Sequence, residues 1–425
     1  MKAVVLAAGR GERLQPLTLT RPKVLLPVAN KPLLQHLLEA LRKVGVDEVL
    51  IVVHYMAEKI MNRFGDGSDL DLKIEYVRQP RICGTADAIG MAEGRVDGEF
   101  LAVYGDLFLT PEALEAVINR HGKNAVATLA LVPVENPSHY GMVRVEDGHV
   151  KEIVEKPESW SFEPLANAGV YVFDSDIFDA IRRTGESTRG EREITDTIQG
   201  LVDEGQEVRA VEISRESWLD VGRPWDLLEA NRRAVSGLVP EVKGRVEEGA
   251  TLVGPVYVAE DARIRAGAYI EGPAVIGGGS DIGPNCYIRP CTSIGSRVRI
   301  GNACEIKNSI VMNGTHIGHL SYVGDSIIGE NCNLGAGTIT ANLRFDKASI
   351  KMVLKGQLVD SGVRKFGVVM GDGSQTGINA LTMPGVKIGP GCWIGPGVVV
   401  YRDVAPNTFL RLRQELEEGR AQTEK

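Results

Sequence analysis

Directly after the aliphatic run Ala3-Val4-Val5-Leu6-Ala7 comes the loop Gly9-Arg10-Gly11-Glu12-Arg13. Glycines at that spacing let backbone amides approach phosphate oxygens without side-chain obstruction, and Arg13 and the later Lys23 add positive charge. A lone G-x-G also serves an ordinary tight turn. Two carboxylates, Asp106 after the strand-like run Phe100 to Tyr104 and Asp220 in Trp218-Leu219-Asp220, are of the type that suits a hard cation bound through oxygen. Taken singly, the first also fits a strand-end cap and the second a turn residue before Gly222. His319, in Gly318-His319-Leu320-Ser321-Tyr322, is of the type that takes a proton near neutral pH, although a lone histidine there also fits a plain turn.

Two different kinds of scaffold must position these groups. Every sixth residue from Val246 to Met312 is aliphatic: Val246, Leu252, Val258, Ile264, Ile270, Ile276, Ile282, Ile288, Ile294, Ile300, Ile306 and Met312. A period of six fits neither a helix nor a flat strand, but it is the hexapeptide repeat of a parallel β-helix. Three hexads make a triangular coil, and successive coils stack about 4.8 Å apart. The position two before each aliphatic is mostly small, and Cys286, Cys304, Cys332 and Cys392 occupy it as packing residues. The register slips at Ile317 and returns at Ile388, so residues 317 to 387 are expected to hold something other than regular coiling.

The first part of the chain alternates instead. Leu33, Leu34, Leu37, Leu38, Leu41 and Val44 mark one face of a helix. Residues 49–53, 100–104 and 125–132 read as buried strands, with helices near 84–94 and 111–121. That alternation predicts an α/β domain with a mostly parallel sheet and helices on both faces, whose ligands bind at the carboxyl ends of the strands.

Composition narrows the class. At 425 residues the chain exceeds one ordinary core, and the change in pattern near residue 240 predicts two domains. With 43% hydrophobic and 24% charged residues, and no apolar run long enough to span a bilayer, neither a membrane span nor a signal peptide is expected, and a cytoplasmic location is. No C-x-x-C pair occurs, so a zinc site or disulfide framework is unsupported. The net charge of −8 argues against a nucleic-acid polymer as partner and leaves small phosphorylated substrates open.

The longer string Leu6-Ala7-Ala8-Gly9-Arg10-Gly11-Glu12-Arg13-Leu14, with Pro16-Leu17-Thr18, Pro22-Lys23 and Pro27-Val28-Ala29-Asn30-Lys31-Pro32, resembles the signature of sugar-1-phosphate nucleotidylyltransferases. The usual Thr or Ser of that family is replaced by Glu12. The resemblance implies a Rossmann-like nucleotidyltransferase domain over residues 1–235. Leu6, Ala7, Gly9, Gly11, Gln79, Gly84 and Thr85 would bind the nucleotide, and Arg13 and Lys23 would neutralise the reacting phosphates. Tyr104, Gly141, Glu155 and Lys156 would hold the sugar phosphate together with Asn167 of Asn167-Ala168-Gly169. Asp106 and Asp220 would hold Mg²⁺. The reaction joins two anions, so its catalysis consists largely of charge neutralisation and in-line alignment.

From Gly318 to Asp325 and from Asn331 to Asn342, through Leu334-Gly335-Ala336-Gly337-Thr338, the chain resembles the acetyltransferase half of the bifunctional enzyme that makes UDP-N-acetylglucosamine. This implies a left-handed β-helix acetyltransferase domain over 236–402, followed by a tail over 403–425. His319 would be the base that deprotonates a hexosamine amine. Arg289, Lys307, Tyr322 and Asn333 would hold the sugar phosphate, and Ala336 and Asn342 would lie along the acetyl-CoA site. Leu343 stands where the bacterial enzymes usually carry Tyr, and residues 347–373 do not align with them.

Pro16-Leu17-Thr18 and Trp218-Leu219-Asp220 look more like glucose-1-phosphate thymidylyltransferases, and the combination resembles the archaeal bifunctional type. The substrates implied are UTP or dTTP, a hexosamine-1-phosphate and acetyl-CoA, in a homotrimer. The alternative is a nucleotidylyltransferase for glucose-1-phosphate or mannose-1-phosphate whose β-helix serves assembly only. A non-catalytic scaffold is disfavoured because Arg13, Lys23, Asp106 and Asp220 are all present.

Overall fold

The computed structural model describes residues 1–419 and divides the chain into two compact units, Met1–Ala230 and a second beginning at Asn231. The division falls within the helix Pro224–Ser236, slightly before the expected boundary at 235.

The first unit is built on a nine-stranded sheet. Its parallel core, in spatial order, is Lys73–Arg78, Glu48–Val53, Lys2–Ala7 and Phe100–Tyr104. Alternation along each strand sends Val5, Ile51 and Val103 into one core and Val4, Leu50 and Ala102 into another, so both faces are covered. Leu37, Leu38 and Leu41 of the helix Leu33–Lys43 pack on the first of these. Beyond Phe100–Tyr104 the sheet is mixed: Leu165–Phe173 runs antiparallel to both of its neighbours, and the hairpin Gly141–Glu146 with His149–Glu155 forms the far edge. A separate two-stranded ribbon pairs Leu107–Leu109 with Trp218–Asp220.

In the second unit, strands of two to four residues form three parallel sheets of eight, nine and eight strands among the described residues, the arrangement of a left-handed β-helix. Inward residues stack directly, as in Ile264, Ile282, Ile300, Ile317 and Leu334 down one side. Two departures from the hexad reading have clear causes. Val311, not Met312, stacks on Ile294, because the corner after Lys307 is one residue short; Met312 is buried beside it. Regular coiling also continues to residue 340 and resumes at Val369–Met370, so the irregular stretch is shorter than expected. There Thr340, Thr376 and Thr382 occupy the inward position in place of aliphatic residues. The Thr340 hydroxyl accepts from the Gly324 N–H at 3.0 Å, and that of Thr376 accepts from the Gly335 N–H at 3.0 Å.

Between these coils lies a hairpin, Lys351–Leu354 with Gln357–Asp360; Met352 and Leu354 of its first strand are buried, as is Ile350 just before it. Coiling also passes residue 402, the expected limit. Phe409–Leu410 pairs with Trp393–Ile394, and Leu410 again packs against the core. The end of the expected tail, 420–425, lies outside the described residues.

Candidate functional site

In the first unit the site is a cavity of about 350 Å³ at the carboxyl ends of the parallel strands. Gly11 has φ +64°, and a Cβ placed on it would lie 2.8 Å from the Cβ of Lys23, so only glycine lets the loop close over that lysine. The loop is tied by the Thr18 hydroxyl, which donates to the Gly11 carbonyl at 2.9 Å. Lys23 is buried beneath it. Its ammonium donates to the Asp106 carboxylate and lies 3.8 Å from Asp220 Oδ1.

The ribbon brings the two carboxylates together. Asp220 lies opposite Leu107, and the Val221 N–H donates to the Asp106 carbonyl at 3.2 Å. The Trp218 indole anchors this strand by donating to the Ala168 carbonyl at 2.8 Å. Although 27% of the Asp220 side chain opens on the cavity, surrounding protein pushes its carboxyl above the usual range, with Lys23 opposing and Asp106 reinforcing the shift. Asp226, in the first turn of Pro224–Ser236, is pushed up to about 7 by burial and then by Asp220. Two protein carboxylates beside a cavity bordered by cations match the donor set of Mg²⁺, which keeps few protein ligands and takes the rest from phosphate and water. No cluster of three or more metal-ligating side chains that could hold a metal occurs among the described residues.

Cations surround the same space. The Arg13 guanidinium lies against Gly222, where a Cβ would approach it to 3.2 Å. Arg223 Nη2 is 3.2 Å from His139 Nδ1. Burial lowers the His139 pKa, and the neighbouring Arg223, Arg13 and Lys156 lower it further. At the other end Lys156 and Arg189 pair with Glu155 at 3.1 and 3.3 Å, and Arg189 also bonds Glu193.

Of the residues singled out in the sequence, Leu6, Gly9, Arg13, Gly84, Thr85, Tyr104, Asp106, Gly141, Glu155, Lys156, Asn167 and Asp220 line the cavity. Ala7, Gly11 and Lys23 lie behind the lining. So does Gln79, 2% exposed, whose carboxamide donates to Asp87 at 2.7 Å. Thr85 is engaged structurally, accepting from the Ile194 N–H at 2.9 Å. His139, Arg189, Glu193, Arg223 and Asp226 also line the cavity and were missed. For Arg223 the signal was its place just after Gly222; for the others no local pattern points to the site.

In the second unit, Arg289 and Lys307 each follow an inward isoleucine on successive coils, and Lys307 stands opposite Gly324 in register. Arg289 donates to Glu305 at 2.8 Å and lies over the Tyr287 ring, while its Nε is buried without a hydrogen-bond partner. Lys307 pairs with Asp325 at 3.0 Å, and the Asn342 amide donates to the Tyr322 hydroxyl at 3.0 Å. His319, exposed at the end of His316–His319, stands at the corner leading to the side that carries Tyr322; its carbonyl accepts from the Ser321 hydroxyl at 2.7 Å. Asn333 faces outward on the preceding side, in register with His316, and Ala336 lies half-buried in the next turn at the same corner. Lys307, Tyr322 and Asn342 thus meet in one cluster, with Arg289 one coil before it. Asn333 lies on a different side of the prism.

The chain matches the nucleotidyl transferase family over residues 2–236 and the GMPPB C-terminal domain over 270–359. It is 45% identical over 417 residues to the bifunctional protein GlmU of Methanocaldococcus jannaschii, covering 98% of each chain. To the bifunctional sugar-1-phosphate nucleotidylyltransferase/acetyltransferase of Sulfurisphaera tokodaii it is 41% identical over 420 residues, 97% of this chain and 100% of the relative. A shorter match, 39% identical over 268 residues, covers 62% of this chain and 74% of the low-salt glycan biosynthesis nucleotidyltransferase Agl11 of Haloferax volcanii.

Proposed function

The chain belongs to the nucleotidyl transferase family and, along nearly its whole length, to the archaeal bifunctional sugar-1-phosphate nucleotidylyltransferase/acetyltransferases; from that premise we propose its substrates and the roles of its residues. The second unit acetylates glucosamine-1-phosphate from acetyl-CoA. The first then couples the N-acetylated product to UTP, releasing pyrophosphate.

In the first unit a phosphate oxygen of the sugar-1-phosphate forms a bond to the α-phosphorus of UTP as the bond to pyrophosphate breaks. Asp106 and Asp220 would hold Mg²⁺, which when bound neutralises charge on the reacting phosphates. Lys23, fixed between those carboxylates, supplies a further positive charge without reorganisation, and it is the observation that carries this reading. Arg13 and the amides of the glycine loop receive the leaving pyrophosphate. Lys156 binds the sugar phosphate, and Glu155 and Asn167 orient the sugar hydroxyls. Replacing Asp106 by Ala is expected to abolish pyrophosphate release while leaving the melting temperature within a few degrees; retained release would overturn the assignment.

In the second unit His319 takes the proton that the hexosamine amine sheds as its nitrogen forms the amide bond and the thioester bond to coenzyme A breaks. Arg289 and Lys307 bind the phosphate, Tyr322 and Asn333 position the sugar, and Ala336 and Asn342 border acetyl-CoA. A homotrimer is supported by the apolar surface of the last coils, where Trp393 and Phe409 are each 58% exposed and Ile378 57%. A cytoplasmic setting is supported by the absence of disulfides among the described residues, whose six cysteines are free. No helix there is long and apolar enough to cross a membrane.

A further inference from the structure

We infer that Asp325 is a positioning residue of the acetyltransferase site, the single anchor that aims both Lys307 and Asn342. The inference rests on the proposed role of those two residues in substrate binding. Asp325 is 3% exposed and has φ +49°, a left-handed corner conformation. The same corner is taken by Asn308 on the preceding coil and by Cys291 on the coil before that, both also at positive φ. Of the three, only Asp325 carries a charge.

Three side chains converge on its carboxylate. Lys307 donates at 3.0 and 3.2 Å, Asn308 at 2.7 Å and Asn342 at 2.5 Å. The Asn342 amide also donates to the Tyr322 hydroxyl at 3.0 Å, so the tyrosine is held through the same anchor. Backbone bonds fix the surroundings: Asp325 N–H donates to the Lys307 carbonyl at 2.9 Å, Gly367 N–H to the Asp325 carbonyl at 2.8 Å, and Phe366 N–H to the Asn342 carbonyl at 3.0 Å.

A plain corner residue does not account for this set. An asparagine would satisfy the backbone conformation, as at position 308, without the cost of taking a full charge out of water. A lysine ammonium is otherwise a solvated point charge on a flexible stem, and holding it in place beforehand removes an ordering cost from ligand binding. The carboxylate therefore serves the aim of the groups around it.

The test uses the full-length enzyme with glucosamine-1-phosphate and acetyl-CoA, comparing Asp325→Asn, Lys307→Gln and the double variant. Asp325→Asn is expected to raise the KM for glucosamine-1-phosphate about tenfold, the scale of one lost charge-assisted bond. The KM for acetyl-CoA should rise as well, because Asn342 is held by the same carboxylate, and the rate of uridylyl transfer should stay unchanged. Because Asp325 acts on the phosphate through Lys307, the double variant should bind glucosamine-1-phosphate no more weakly than Lys307→Gln alone. Effects that multiply, or an unchanged KM in Asp325→Asn, would overturn the inference. An unchanged KM in Lys307→Gln would instead sink the site reading beneath it. If Asp325→Asn does not fold, Asn308→Ala loosens the same carboxylate and should raise that KM several-fold; no change there would also overturn the inference.

Discussion

Asp106, just before Leu107–Leu109, and Asp220, at the end of Trp218–Asp220, are far apart in sequence, yet the antiparallel ribbon, extended by the Val221 N–H donating to the Asp106 carbonyl at 3.2 Å, holds them side by side. The ribbon lies at the carboxyl end of Phe100–Tyr104, and Lys23 enters between the two carboxylates from beneath the glycine loop. The charges that the first reaction needs are therefore fixed by backbone pairing before substrate arrives.

That geometry carries a stability signature through Asp226. Its carboxyl is raised to about 7 from an ordinary 3.8, so the folded state binds a proton that the unfolded state has released. Stability from this group is complete below pH 3.8 and is lost as pH rises through 7. Urea unfolding without divalent cations should show the first unit weakening between pH 5 and pH 8, and Asp226→Asn should flatten that slope. Equal slopes in the two proteins would contradict the assignment.

His319→Ala should lower acetyl transfer by roughly 10² to 10⁴, the usual contribution of a general base, and leave uridylyl transfer unchanged. The imidazole is exposed at a corner, so the fold should not suffer. Parallel measurements of coenzyme A release and pyrophosphate release on the same preparation check this. An equal loss in both would assign His319 a structural role.

Ile300 is fully buried, stacked between Ile282 and Ile317. Truncation to Ala should cost about 2–5 kcal/mol, because a rigid coil cannot collapse into the space. Denaturant unfolding followed by the signal of the second unit, including Trp393, gives the value. A cost below about 1 kcal/mol would mean that the stack does not sustain the coil.

What the sequence revealed follows from what each feature requires. The β-helix was legible because Ile264, Ile282 and Ile300 must all point to one axis. The position of the short corner was not, since Val311 and Met312 are both apolar and only backbone pairing with Ile294 decides between them. Coils built on Thr340, Thr376 and Thr382 escaped an aliphatic count because threonine takes the inward position there, with the hydroxyls of Thr340 and Thr376 paired inside the prism. In the first unit, loop residues such as Gly11 and Arg13 are contiguous and were readable. Arg189 and His139 are brought to the cavity by long-range packing and leave no local trace.

Incubating the purified protein with glucosamine-1-phosphate, acetyl-CoA, UTP and Mg²⁺, with each component omitted in turn, tests the central claim most directly. The account predicts UDP-N-acetylglucosamine only in the complete mixture, with N-acetylglucosamine-1-phosphate accumulating when UTP is left out. Nucleotide sugar formation from a supplied sugar-1-phosphate, with no acetyl transfer under any condition, would contradict it.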